Sequence, residues 1–266
     1  MGRADMSDTI TVQGETFRVR VDGPDAAPAL MLCNSLSSDL SMWDVQVQEL
    51  AGHFRVIRYD GRGHGGSVLS PGPYTMDQLG QDAVAILDAL GIRRTHWCGV
   101  SLGGMVGMWM LTHARERIGR AVLANTAAHM GPPDLWNGRI AMAREGGMEA
   151  VVDGTVTRWF PAAFREREPD TIARMRAMIL RTPPQGFQAC CVAIRDMDQR
   201  ETIRTIDTPT LVIIGSQDPA TTPADGELIH ARIRGSQKLV LDAAHISNVE
   251  QPAAFSGALR QFLHEG

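Results

Sequence analysis

From Phe54 onward the chain alternates short β-branched runs with longer amphipathic segments, and this switching of period restricts it to architectures built on a parallel sheet. Strand-like runs fall at Phe54–Tyr59, Arg94–Val100, Ala121–Asn125, Thr210–Gly215 and Gln237–Leu241. Helix-like segments occupy Thr75–Leu90, Leu102–His113, Pro223–Ile233 and Ala253–His264, the first opened by a capping box of Thr75 and Gln78. Upstream, Thr9–Val12 and Phe17–Val21 flank Gly14 like an opening hairpin, and Ala29–Cys33 is a further short apolar strand. With 266 residues, 44% of them hydrophobic, the chain can bury roughly three quarters of its unfolded surface around one core. The expected class is α/β, a mostly parallel twisted sheet covered by helices on both faces.

The alternation breaks once. Between Ala127 and about Pro184 the strand signal disappears, and Trp136–Glu145, Met148–Trp159 and Thr171–Leu180 read as helices separated by Gly and Pro. This predicts a helical cap, residues 127–184, carried on a core formed by residues 1–126 and 185–266.

Charge and composition exclude several classes. A net charge of −4 with no basic stripe offers no footprint for a nucleic-acid backbone. No apolar run approaches the length needed to span a bilayer, the opening Met1–Asp8 has no signal core, and Met6 stands where a myristoylation signal requires Ser or Thr. A cytoplasmic protein is expected, with Cys33, Cys98, Cys190 and Cys191 as buried reduced thiols. No His or Cys set has metal-site spacing, and no cofactor is expected.

The chemistry starts at Gly99-Val100-Ser101-Leu102-Gly103, a G-x-S-x-G pattern placed where a strand ends and a helix begins. A tight turn there lifts a serine above the sheet edge, and small flanking residues are needed because the turn is crowded. A serine hydroxyl needs a base to take its proton and a carboxylate to orient that base. Of eight histidines, His245 alone lies in the loop directly after a late strand, at the edge where Ser101 also lies. His53, His113, His230 and His264 belong to helices or their ends, and His96 begins a strand. The acid should come from an edge loop between serine and histidine. Asp218 follows its strand through Gly215-Ser216-Gln217, whereas Asp207 precedes that strand and Asp225 belongs to the next helix; Asp242 is a rival better suited to capping a turn.

Charge developing on a carbonyl oxygen needs preorganised donors. The backbone N–H of Leu102 opens the helix after Ser101, and the loop Asn34-Ser35-Leu36 after Ala29–Cys33 offers the N–H of Leu36. Gly61-Arg62-Gly63-His64-Gly65-Gly66 also satisfies G-x-G-x-x-G, but Pro71 and Pro73 follow where a dinucleotide site requires a helix. Arg62 and His64 are read as residues that structure this loop.

With these motifs the chain resembles the 3-oxoadipate enol-lactonases of the α/β-hydrolase superfamily, from about Met31 to the C-terminus. The likeness is carried by Asn34-Ser35-Leu36, Asp39-Leu40-Ser41-Met42-Trp43, Arg58-Tyr59-Asp60 with Arg62-Gly63-His64-Gly65, Cys98-Gly99-Val100-Ser101, Asn125-Thr126-Ala127, Arg158-Trp159-Phe160 and His245-Ile246-Ser247-Asn248-Val249-Glu250. The resemblance implies an α/β-hydrolase fold and ring opening of 3-oxoadipate enol-lactone in bacterial catabolism of aromatic compounds. The family triad falls on Ser101, Asp218 and His245, although Asp218-Pro219-Ala220-Thr221-Thr222-Pro223 departs slightly from the family loop. The implied partner is a small lactone bearing a carboxylate, for which Trp136 and Arg139, one helical turn apart, are the binding candidates. A solvated ion pair for Arg139 and simple packing for Trp136 are the alternatives. A carboxylesterase or carbon–carbon bond hydrolase could use the same triad, and a ligand receptor on this fold is a reading of another class.

Overall fold

The computed structural model describes residues 9–264. The N-terminal stretch read above for signal and myristoylation motifs lies outside the described residues. Eight strands, β1 (Thr9–Val12), β2 (Glu15–Asp22), β3 (Ala29–Cys33), β4 (Arg55–Tyr59), β5 (Thr95–Val100), β6 (Ile118–Ala124), β7 (Thr210–Gly215) and β8 (Gln237–Leu241), form one sheet in the order β1-β2-β4-β3-β5-β6-β7-β8. The first two join it antiparallel, and every pairing from β4 to β8 is parallel. All six residues of β7 are buried. Because successive strand residues point to opposite faces, this requires both faces of the sheet to be covered.

The helices are α1 (Asp44–Leu50), α2 (Met76–Ala89), α3 (Leu102–His113), α4 (Pro133–Gly146), α5 (Glu149–Trp159), α6 (Ala162–Arg167), α7 (Pro169–Leu180), α8 (Pro184–Asp196), α9 (Pro223–Arg232), α10 (Ser247–Glu250) and α11 (Pro252–His264). Residues Leu102 to Leu111 of α3 are all buried, so this helix is walled in on every side rather than amphipathic. It packs closely on α2, where a Cβ at Gly80 would lie 2.0 Å from the Trp109 ring. Helix α2 begins at the expected cap, with Thr75 Oγ1 accepting from Gln78 N, but the return bond from the Gln78 side chain that would complete a capping box is not made.

Between β6 and β7 the described chain forms helices and no strand, with one isolated antiparallel bridge between His129 and Asp198. The sequence reading lacks α1, α6, α8 and α10. Helix α8 buries Gly186, Phe187, Ala189, Cys190, Cys191, Ala193 and Ile194, with Phe187, Cys190, Cys191 and Ile194 recurring at helical spacing on one face. Helix α8 runs along α4 and also touches the core, where Gly186 meets Gly63 backbone to backbone and Ala189 O accepts from Tyr74 N.

Strand register decides where the loops meet. Cys33 pairs with Gly99, Val100 with Ala124, Ala124 with Ile213, and Gly215 with Leu241. The loops that follow β3, β5, β6, β7 and β8 therefore open side by side at one edge. Among the described residues no helix is long and apolar enough to cross a membrane.

Candidate active site

Ser101 sits at φ 56°, ψ −114°, a backbone conformation that a residue with a Cβ adopts only when its surroundings enforce it. Three donors enforce it here. Thr126 Oγ1 (2.7 Å), Gly104 N (2.9 Å) and Met105 N (3.0 Å) all donate to Ser101 O, while Ser101 N donates to Ala124 O of β6. The flanking glycines are demanded by space. A Cβ at Gly99 would lie 2.0 Å from Gly103 O, and one at Gly103 would lie 2.1 Å from Cys33 O.

His245 and Asp218 meet in the buried layer beneath this edge, with His245 Nδ1 2.8 Å from Asp218 Oδ2. An ionised carboxylate only accepts, so Nδ1 carries the proton and Nε2 remains the basic nitrogen. Asp218 is itself held by four further donors: Ala220 N (2.8 Å) and Thr221 N (3.0 Å) on Oδ1, and Thr221 Oγ1 (2.8 Å) and Asn125 Nδ2 (3.1 Å) on Oδ2. Burial pushes the Asp218 carboxyl up, but the adjacent His245 and the N–H groups of Thr221 and Ala220 outweigh it and hold the group below the ordinary carboxylate value. The rival Asp242 turns elsewhere, its Oδ1 accepting from Gln217 Nε2 and Ser216 Oγ at the exposed surface. Ser101 shares the edge with this pair, and among the described residues its hydroxyl makes no direct hydrogen bond to the imidazole.

Asn125, to which the sequence reading assigns no role, ties the loops together. At φ 45° in the left-handed region, its Nδ2 donates to Ala244 O (2.9 Å) as well as to Asp218, and its Oδ1 accepts from Ser247 Oγ (2.6 Å). The local signal is an Asn directly after a strand, a residue type that tolerates this conformation.

The loop after β3 is built just as firmly. Asn34 Nδ2 donates to Tyr59 O (2.8 Å), Trp43 Nε1 donates to Asn34 Oδ1 (2.9 Å), and Ser37, at φ 67°, donates its N–H to His64 Nε2 (3.0 Å). His64 Nδ1 in turn donates to Arg62 O (3.2 Å), and Arg62 grips Asp82 through Nε and Nη2 at 2.8 and 2.7 Å. Burial depresses the His64 pKa, which suits a ring that accepts through Nε2. Among the described residues, neither the Leu36 N–H nor the Leu102 N–H donates to a protein acceptor.

On α4, Trp136 and Arg139 are brought together, with the guanidinium carbon 4.7 Å from the Trp136 ring centre and 5.5 Å from that of Phe187. Trp136 Nε1 and Arg139 Nε are both buried without a hydrogen-bond partner. Burial lowers the Arg139 pKa, and among the described residues no carboxylate pairs with it. The solvated ion pair considered for Arg139 is thus not what the structure contains. No group of three or more His, Cys, Asp or Glu gathers as a ligand set among the described residues, and the four cysteines are free and buried.

Residues 28–252 match the family described as alpha/beta hydrolase fold. The chain is 40% identical over 256 residues, 96% of each sequence, to 3-oxoadipate enol-lactonase 2 of Acinetobacter baylyi. The crystal structure of the enol-lactonase from Burkholderia xenovorans LB400 superposes with a TM-score of 0.95 at 42% identity, covering 97% of this chain and 100% of that one. A hydrolase from Pseudomonas aeruginosa PA01 follows at TM-score 0.93 and 45% identity, covering 96% of this chain and 97% of that one. Agreement of this extent in both sequence and backbone makes the protein a hydrolase of ester bonds, and the chain belongs to the 3-oxoadipate enol-lactonase family of α/β hydrolases.

Proposed function

We propose that the protein opens the ring of 3-oxoadipate enol-lactone to 3-oxoadipate through an acyl-enzyme on Ser101. The observation that carries this reading is the buried contact of 2.8 Å between His245 Nδ1 and Asp218 Oδ2 at the sheet edge where Ser101 is held in its strained turn. His245 Nε2 takes the hydroxyl proton as Ser101 Oγ adds to the lactone carbonyl, a contact that commonly tightens only when substrate is bound. The carbonyl oxygen becomes an oxyanion that accepts from the N–H groups of Leu36 and Leu102. Collapse breaks the ring C–O bond, and the imidazolium returns its proton to the departing enol oxygen. The leaving group stays tethered to the acyl chain, where the enol tautomerises to the ketone. Water, deprotonated by His245, then adds to the acyl carbon and expels Ser101, releasing the second carboxylate of the product.

Trp136 and Arg139 supply donors and positive charge for the carboxylate the lactone already carries. The test follows loss of the enol-lactone ultraviolet absorbance with wild type and Ser101→Ala side by side. Many turnovers by wild type and a kcat lower by about 10⁴-fold or more in the variant are expected. Turnover of simple esters with none of the lactone would move the reading to a carboxylesterase. One slow cycle with retained ligand would move it to a receptor.

A further inference from the structure

After β3 the chain turns on Ser35-Leu36-Ser37-Ser38, with Ser38 N donating to Ser35 O at 3.3 Å. Ser37 has φ 67° and Leu36 does not share the positive region, the combination that makes this a type II turn. The third position of such a turn favours glycine, and here a serine holds it. Its hydroxyl gives no help, being buried without a hydrogen-bond partner. The backbone is held instead by the bond from Ser37 N to Nε2 of the buried His64, at 3.0 Å. The ring is oriented in turn by donation from Nδ1 to Arg62 O at 3.2 Å.

This turn sets the direction of the Leu36 N–H. Because a peptide unit is planar and trans, the Leu36 N–H points opposite to Ser35 O. Ser38 fixes that oxygen twice, through its N–H and through its Oγ at 2.6 Å. Both bonds require Ser38 to fold back over Ser35, which the left-handed Ser37 achieves. The loop also begins beside the other donor, since a Cβ at Gly103 would lie 2.1 Å from Cys33 O and 3.0 Å from Asn34 O, and Ser35, Ser38, His64 and Leu102 line one small cavity. We propose that His64 is a positioning residue for the oxyanion site: by accepting from Ser37 N, it holds the turn that aims the Leu36 N–H at the charge developing on the substrate carbonyl oxygen. It acts through Leu36 and touches no substrate. The inference rests on the proposed role of the Leu36 N–H and extends it to a side chain 27 positions from Ser37, on a different loop.

Two substitutions separate the two bonds of the ring. His64→Gln can place an acceptor where Nε2 stands, whereas His64→Asn can place a donor only where Nδ1 stands. His64→Asn should lower kcat for the enol-lactone roughly 10- to 100-fold with KM changed far less, because the oxyanion exists only beyond the ground state. His64→Gln should keep most of the rate. Adding Ser37→Gly to His64→Asn should recover part of the loss, since glycine takes a positive φ without a brace. Ser38→Ala, which removes one of the two bonds on Ser35 O, should lower kcat in the same way, and thermal melts fix a temperature at which every variant is folded. The same series on p-nitrophenyl acetate, whose carbonyl also passes through an oxyanion, should give the same order. That arm needs no lactone turnover, so it separates failure of the His64 proposal from failure of the lactonase reading. His64→Asn as active as His64→Gln, no recovery on adding Ser37→Gly, or losses in KM rather than kcat would overturn the proposal.

Discussion

Asn125 Nδ2 lies 3.1 Å from Asp218 Oδ2, so the amide that leaves β6 in a left-handed conformation is a direct donor to the carboxylate behind the imidazole. The same amide holds Ala244 O, one residue before His245, and so couples the position of the acid to the position of the base. Replacing it with a carboxylate would set two anions side by side, which favours protons on both Asp218 and His245. Asn125→Asp should therefore move the acid limb of the kcat/KM profile to higher pH, and Asn125→Ser, with no added charge, should lower kcat without that displacement. A pH–rate series on the three proteins checks this, and an unmoved limb in Asn125→Asp would contradict it.

Gly103 faces Cys33 O so closely that a Cβ would lie 2.1 Å from it. Accommodating a methyl group means parting the strand end of β3 from the start of α3, which separates the Leu36 and Leu102 amides. Gly103→Ala should lower kcat by about 10²- to 10³-fold, the scale of one lost oxyanion donor. Stopped assays alongside a thermal melt distinguish this from unfolding, since the loss of rate should persist at temperatures where the variant is still folded.

His96 is partly buried on β5, its ring edge-on to Phe54, and burial, together with the nearby Arg120, Arg94 and His264, lowers its pKa from 6.5 to about 4. A folded-state value below the unfolded one means the unfolded chain binds the proton first. The contribution of neutral His96 to stability is thus complete above about pH 6.5, is lost as pH falls, and levels off below about pH 4. Relative to His96→Phe, which keeps a ring and removes the titration, wild type should lose melting temperature across this window and hold it above. Parallel melting curves across the window would show that the group is not desolvated.

Arg139 stacks on Trp136 with its Nε unsatisfied. If that donor meets the substrate carboxylate, Arg139→Ala should raise KM for the enol-lactone by the equivalent of about 1.5–3 kcal/mol while kcat changes little. Initial-rate kinetics decide it, and an unchanged KM would remove Arg139 from the site.

Short-range physics made much of this protein legible in its sequence. Short-range patterning marks the strands and α2, α3, α9 and α11, though not α1, and the ends of β5, β7 and β8 mark where Ser101, Asp218 and His245 leave the sheet. At the strand-to-helix turn the crowding of Gly99 is local, against Gly103 O, whereas Gly103 is required by Cys33 O from the distant strand β3. Helix α8 escapes the sequence reading although Phe187, Cys190, Cys191 and Ile194 recur at helical spacing on one face; that face becomes part of the core only by meeting α4 and the backbone of Gly63, segments remote in the chain. Only the tertiary structure decided that Asn125 bonds a carboxylate 93 positions away, that His64 braces the loop of Leu36 through Ser37, and that Arg139 lies between the rings of Trp136 and Phe187 with its Nε unsatisfied. Those relationships join segments remote in the chain, and the strand order and cap packing that bring them within reach are properties of the whole fold.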